Sequence, residues 1–170
     1  PYAEQRDRQL QGAIARIAGD NSIKEVILSG GDPLLLDDPA LTDLFDALAE
    51  VPHVRRLRLH TRIPVVLPER TTAALLERLS DGRFQTALVA HANHHNELND
   101  ETARAFACFD RAGVKLFNQA VLLRGVNDSV EAQVALAETL YEQAVLPYYL
   151  HMPDPVAGTH HFAVSDAEAK

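Results

Sequence analysis

The sequence predicts an α/β fold built on a parallel sheet, and three observations carry that prediction. Short β-branched runs alternate with longer stretches of helical period from one end of the chain to the other. The connections between successive runs are long enough to hold a crossover helix, which makes neighbouring strands parallel and their connections right-handed. Each run also ends in polar residues, the arrangement expected where a parallel sheet offers its carboxyl edge to a ligand.

In chain order the pattern predicts a helix near Gln9 to Ala18, a strand in KEVILS (24–29), a helix over Leu41 to Ala49 and a strand in RRLRLH (55–60). Next come a helix over Thr72 to Leu79, a strand in FQTALVAH (84–91), a helix over Glu101 to Ala112 and a strand in VKLFNQAVL (114–122). A helix over Val130 to Gln143 and a strand in VLPYYLH (145–151) complete the series. Five strands are too few for an eight-stranded barrel, so an open sheet or a barrel segment is expected. Ala112-Gly113 reads as a helix stop, and Asp128-x-x-Glu131 as a capping box for the helix after it. Ser165-Asp166-Ala167-Glu168 is a second capping box with only Ala169 and Lys170 behind it. Together with the absence of a Met before Pro1, this predicts a single domain truncated at both ends.

Composition narrows the function. The chain has 170 residues, 46% of them hydrophobic, which fits one domain with a real core. Nothing resembles a membrane span or a signal peptide, and a cytoplasmic location is expected. Twenty-four acidic residues against 16 basic ones give a net charge of −8, and no basic cluster is interleaved with aromatics, so nucleic acid is set aside. The single cysteine, Cys108, is expected on the buried face of a helix and supports neither a disulfide framework nor a cysteine-rich metal site.

The strand ends hold the candidate site: Ser29-Gly30-Gly31-Asp32-Pro33, His60-Thr61-Arg62, His91-Ala92-Asn93-His94, Asn118-Gln119 with Arg124 to Asp128, and His151 with Asp154. Each has a plainer explanation. Gly-Gly-Asp-Pro alone is more often a tight turn, with Asp32 capping the next helix. A histidine at a strand end is more often structural, and Arg62 has the option of pairing with a surface acid. HANHHNE (91–97) serves equally as a solvated loop or as a metal site on His91, His94 and His95, although adjacent histidines on an extended strand face opposite ways. Asn118-Gln119 inside an apolar strand is harder to dismiss, because a buried amide must be paired; a ligand is one natural partner. The conjunction of five polar ends favours a site.

Five stretches carry a resemblance: SGGDPL (29–34), VPHVRRLRLHTRIPVVLPERTT (51–72), HANHHNE (91–97), AGVKLFNQAVLLRGVND (112–128) and PYYLHMPD (147–154). They resemble the lysine 2,3-aminomutase family of radical S-adenosylmethionine (SAM) enzymes. Residues 147–169 are more similar to the EpmB branch, which makes β-lysine for elongation factor P, than to the catabolic aminomutases, and His151 stands where those have tyrosine. The resemblance implies a parallel (β/α) partial barrel with about five of six βα units present. It implies three cofactors: SAM, a 4Fe–4S cluster and pyridoxal 5′-phosphate (PLP). The reaction implied is conversion of free L-lysine to β-lysine by radical migration of the 2-amino group, with attachment to elongation factor P left to a separate ligase, and oligomers are known among relatives.

By the same resemblance Ser29, Gly30, Gly31, Asp32 and Pro33 lie against SAM, His91 and Gln119 lie close to it, and Arg62 and Asn93 belong to the same polar wall. Asp154 matches an aspartate that binds the lysine ε-ammonium, a charge-assisted contact. Departures matter equally. The family holds its cluster on a CxxxCxxC loop placed before the point where this chain starts, and Cys108 is no substitute. The PLP lysine and a second aspartate belong after its end, and Lys170 is not that lysine. The 170 residues alone are therefore expected to be inactive. Two rivals remain open: a metal-dependent barrel hydrolase using His60, His91, His151 and Asp154, and a non-catalytic SAM-binding module.

Overall fold

The computed structural model describes residues 2–165 and 167–169. Helix α1 (Tyr2–Ala18) leads into β1 (Glu25–Leu28), α2 (Asp38–Ala49), β2 (Arg56–Thr61), α3 (Ile63–Val66) and α4 (Ala73–Leu79). Then come β3 (Gln85–His91), α5 (Asp100–Arg111), β4 (Lys115–Val121), α6 (Val130–Glu142) and β5 (Leu146–His151). The five strands form one sheet in the order β1-β2-β3-β4-β5, every pair parallel. All five carboxyl ends therefore meet on one rim, as the sequence predicts.

Alternation along the strands divides the sheet into two faces. Leu57, Leu59, Leu88, Ala90, Leu116 and Ala120 are buried on one face, under Leu41, Phe45 and Leu48 of α2, Leu75 and Leu79 of α4, Phe106 and Phe109 of α5, and Leu136 and Leu140 of α6. The other face presents Arg58, His60, His91 and Gln119, and there the edge residue Ile27 is 51% exposed. A sheet with an apolar helical cover on one face and a polar inner face is the geometry of a partial barrel.

The local signals explain most boundaries. Helix α2 starts on Asp37, whose carboxylate accepts from the Ala40 amide, and α4 starts on Thr72, which accepts from Leu75. Helix α5 stops as predicted: with Gly113 at φ +79°, its amide donates to the Asp110 carbonyl and the Val114 amide donates to Phe109.

Three expectations need correction, and one element has no counterpart among the predicted ones. Asp128 does not cap α6; Ser129 does, accepting from Ala132, because the Asp128 carboxylate closes the preceding loop on the Gly125 amide at 2.9 Å. Helix α1 starts at Tyr2 rather than near Gln9, since the polar sequence of its first turns, YAEQRDR, gives no apolar period to read. Cys108 is only half-buried, on the flank of α5, where the Arg111 guanidinium donates to its sulfur at 3.1 Å. The short α3 went unpredicted because Pro64 reads as a breaker, although proline fits a first helical turn. Pro1, Asp166 and Lys170 lie outside the described residues; the Ser165–Glu168 box itself is present, with Ser165 donating from its amide to Glu168 Oε2 at 2.9 Å and the Glu168 amide donating back to Ser165 Oγ at 3.4 Å. Among the described residues no helix is long and apolar enough to cross a membrane.

Candidate functional site

At the exit of β1, Gly30 and Gly31 both have left-handed backbone, φ +84° and +81°, which L side chains rarely adopt. A Cβ built on either meets no atom within 4 Å. The glycines are thus required by conformation, and open space stands over a bare main chain at a groove of ≈ 270 Å³ lined by Ser29, Asp32 and Pro33 among others.

Asp32 faces inward from that turn. Its Oδ1 accepts from the Leu34 amide at 3.0 Å and from Thr61 Oγ1 at 2.6 Å, and its Oδ2 accepts from the Arg62 amide at 2.6 Å. The carboxylate therefore caps the turn and also ties the end of β1 to the end of β2. One lone pair of Oδ2 remains for a ligand.

The brace continues along the rim. Arg62 Nη2 donates to Glu97 Oε2 at 2.7 Å, while Glu97 Oε1 accepts the amides of Asn93 and His94. Asn93, 9% exposed, accepts at Oδ1 from the Val121 amide at 2.8 Å and lies 3.2 Å from His91 Nε2, so it orients His91 and pins the exit of β4. Asn127 is fully buried: its Nδ2 donates to the carbonyls of Asn93 and Val121, and its Oδ1 accepts from Leu123. Asn118, 2% exposed, exchanges both hydrogen bonds of its amide with the backbone of Ala92 at 2.9 Å. The amide that looked hardest to dismiss from sequence is satisfied by the protein and is structural, whereas its neighbour Gln119 faces the open side.

His60 stands out on that open side. Its Nε2 is buried and has no hydrogen-bond partner. Burial holds its imidazole below the ordinary value, and the charge of Arg58 adds to this, while Gln119 beside it works the other way. His91 is shifted down as well, by burial first and then by Arg62, against the Asn93 contact and Glu97. Both rings therefore favour the neutral form. Arg58 is paired with Glu25 at 2.6 Å and lies over the Tyr148 ring at 6.0 Å.

Asp154 sits apart, exposed between Pro153 and Pro155 beyond β5. His94 and His95 are not on an extended strand: His94 Nδ1 caps a single helical turn by accepting from Asn96, and the His95 ring packs on it at 4.2 Å. Among the described residues no group of three or more His, Cys, Asp or Glu has the geometry to hold a metal ion. The hydrolase arrangement on His60, His91, His151 and Asp154 is not assembled. Sequence reasoning missed the part played by Glu97 and gave no role to Arg58; the spacing His94-x-x-Glu97 was the available signal for the former, hidden because histidine is an unusual cap.

The donor chemistry of the rim fits SAM: open main chain at Gly30 and Gly31, a spare carboxylate lone pair on Asp32, an unpartnered His60 nitrogen and the Gln119 amide. It does not fit an iron–sulfur cluster, since Cys108 is on α5 away from the rim, nor an imine-forming lysine, since Lys24 Nζ donates to the Asn21 carbonyl in a loop and Lys115 opens β4 at the opposite end of the sheet.

Comparison with known proteins places this architecture. The solved structure of native anSMEcpe with bound AdoMet superposes with a TM-score of 0.70 at 13% identity, over 95% of this chain and 48% of that one. The two share a fold, a parallel (β/α) partial barrel. No protein-family model matches the chain. Individual relatives do: it is 44% identical over 172 residues to the L-lysine 2,3-aminomutase of Escherichia coli (strain K12), covering 100% of this chain and 50% of that protein. Against that of Haemophilus influenzae the identity is 44% over 171 residues, covering 99% and 51%, and against that of Clostridium subterminale it is 41% over 154 residues, covering 91% and 37%. Along its full length the chain is similar to the L-lysine 2,3-aminomutases, and it spans about half the length of the first two relatives.

Proposed function

We propose that this chain is the SAM-binding core of a radical SAM, PLP-dependent lysine 2,3-aminomutase that converts L-lysine to β-lysine, the cluster and PLP being held by parts of the protein outside these residues. The observation that carries the reading is the 44% identity to L-lysine 2,3-aminomutase along the full chain. The polar rim supports it.

When bound beside a reducing cluster, SAM supplies the radical that starts the amino-group shift. The chain's own residues bind and orient. Gly30 and Gly31 let the methionyl end approach the main chain, and Asp32 with the exposed carbonyls suits its ammonium. His91, held by Asn93, together with Gln119 and the unpartnered His60 nitrogen, lines the wall next to it. Neutral rings at His60 and His91 suit a cationic sulfonium better than charged ones would. Asp154 binds the lysine ε-ammonium and sets its register, rejecting shorter amines. The similarity of residues 147–169 to the EpmB branch supports a role in making β-lysine for elongation factor P.

The test is anaerobic turnover by the full-length protein with iron, sulfide, SAM, PLP and L-lysine. β-Lysine is expected, and Asp154→Asn is expected to raise the KM for lysine about 10- to 100-fold, the loss of one charge-assisted contact. A reconstituted protein that forms no β-lysine would end the reading, and an unchanged KM would remove Asp154 from the site.

A further inference from the structure

The segment that carries Asp154 leaves the sheet and returns to it at nearly the same place. At its start the Leu122 amide donates to the His151 carbonyl at 2.8 Å. At its end the Arg124 amide donates to Phe162 at 2.9 Å and Arg124 Nε donates to the Ala163 carbonyl at 2.8 Å. Residues 152–161 thus form a closed loop whose two ends hang from Leu122 and Arg124 at the exit of β4, the form of an Ω-loop. Between its ends Met152, Asp154, Val156, His160 and His161 are exposed, and its internal backbone bonds are short-range, such as Val156 amide to Asp154 carbonyl at 2.8 Å. Prolines on both sides restrict the backbone at Asp154. The position of its carboxylate is therefore decided at the two points of suspension.

One point is ladder-like backbone, and the other joins a backbone bond, Arg124 amide to Phe162, to the Arg124 side chain. Arg124 forks onto Glu168, Nη1 to Oε1 at 3.3 Å and Nη2 to Oε2 at 2.9 Å, and Glu168 is held in turn by the amide and hydroxyl of Ser165, both donating to Oε2. Buried Val164 anchors the stretch between them. Exposed ion pairs usually add little. This one is a two-pronged contact whose carboxylate is fixed by two further donors, a set that lysine cannot reproduce. The same partners hold the Glu168 carboxyl down to about 2, so the fork is intact at any ordinary pH.

We propose that Arg124 is a positioning residue: by clamping the return of the 152–161 loop it fixes Asp154 over the mouth of the partial barrel and so sets the length of amine-bearing substrate that is accepted. This rests on the reading that Asp154 binds the ε-ammonium.

The experiment is a double-mutant cycle in the full-length protein, following β-lysine formation from lysine, discrimination against ornithine, which is one methylene shorter, and proteolytic cutting within 152–161. Arg124→Gln is expected to raise the KM for lysine about tenfold with kcat little changed, to weaken discrimination against ornithine, and to speed cutting in the loop. Arg124→Lys should fall between, and Glu168→Gln, which leaves the Arg124 bonds to Phe162 and Ala163 in place, should move the same readouts less. In an Asp154→Asn background Arg124→Gln should add nothing to KM. If Asp154→Asn raises KM while Arg124→Gln and Glu168→Gln leave KM and discrimination unchanged, lower kcat alone, or add in full to Asp154→Asn, the clamp is overturned and the substrate reading stands. If Asp154→Asn leaves KM unchanged, the substrate reading falls and takes the specificity claim with it. Should Arg124→Gln not fold, Glu168→Gln decides by the same criteria.

Discussion

The rim over β1 to β4 and the region of β5 are built in opposite ways. Around β1 to β4 the polar groups are bonded mainly to one another: Asp32 joins the ends of β1 and β2, Glu97 those of β2 and β3, and Asn93, Asn118 and Asn127 lock β3 to β4. Along β5 all six residues are exposed, and the Asp154 loop beyond it touches the body chiefly at its ends. The contrast teaches that a polar strand end is not by itself a ligand group. On the braced side most polar side chains form the frame, and the groups left to face outward are few: the backbone at Gly30 and Gly31, one lone pair of Asp32 and Gln119. On the other side the carboxylate that would meet substrate is free but needs positioning.

If that contrast is right, substitutions should fall steeply in cost from one region to the other. The largest loss is expected for Asn127→Ala, about 3 kcal/mol, because two carbonyls and an amide lose a partner in a fully buried position; Asn118→Ala is next at about 2 kcal/mol. Urea denaturation measures both. Gly31→Ala has open space for its Cβ but a strained φ of +81°, and should cost about 1 kcal/mol while weakening SAM binding. A loss of SAM affinity without loss of stability would show that the site needs the bare backbone itself.

A smaller effect concerns pH. His60 and His91 are shifted below the ordinary histidine value of about 6.5, so the unfolded chain binds their protons more readily. Their contribution to stability is complete above that value and is lost as pH falls below it toward the depressed folded values. Stability should therefore rise between about pH 5 and 7, and the slope should flatten in a His60→Gln/His91→Gln double variant. The smallest effect is expected on the open side, where Leu150→Thr, at a residue 51% exposed, should change stability by no more than about 0.5 kcal/mol. A loss near that of Asn127→Ala would mean that β5 is as firmly framed as its neighbours.

The fold was legible because periodicity encodes it directly: runs such as RLRLHT alternate buried and open positions, and each predicted strand and long helix appears near its predicted place. The site was legible in outline. Parallel strands bring all five polar ends to one rim, so naming the ends named the neighbourhood. Sequence could not tell which of those groups are consumed internally. Asn118 and Gln119 are adjacent and chemically alike, yet one is locked to Ala92 and the other faces the open side, a difference set by register with β3. Arg124 and Glu168 are too far apart in the chain for any local pattern to pair them.

The central claim is that the β1 to β4 rim is where SAM binds, and amide hydrogen exchange on the full-length, cluster-reconstituted protein tests it most directly. Addition of SAM should slow exchange at Gly30 to Asp32, around His91 to Asn93 and at Gln119, and leave the opposite end of the sheet at Arg56 and Lys115 unchanged. Protection at that opposite end, or none on the rim at saturating SAM, would contradict the account.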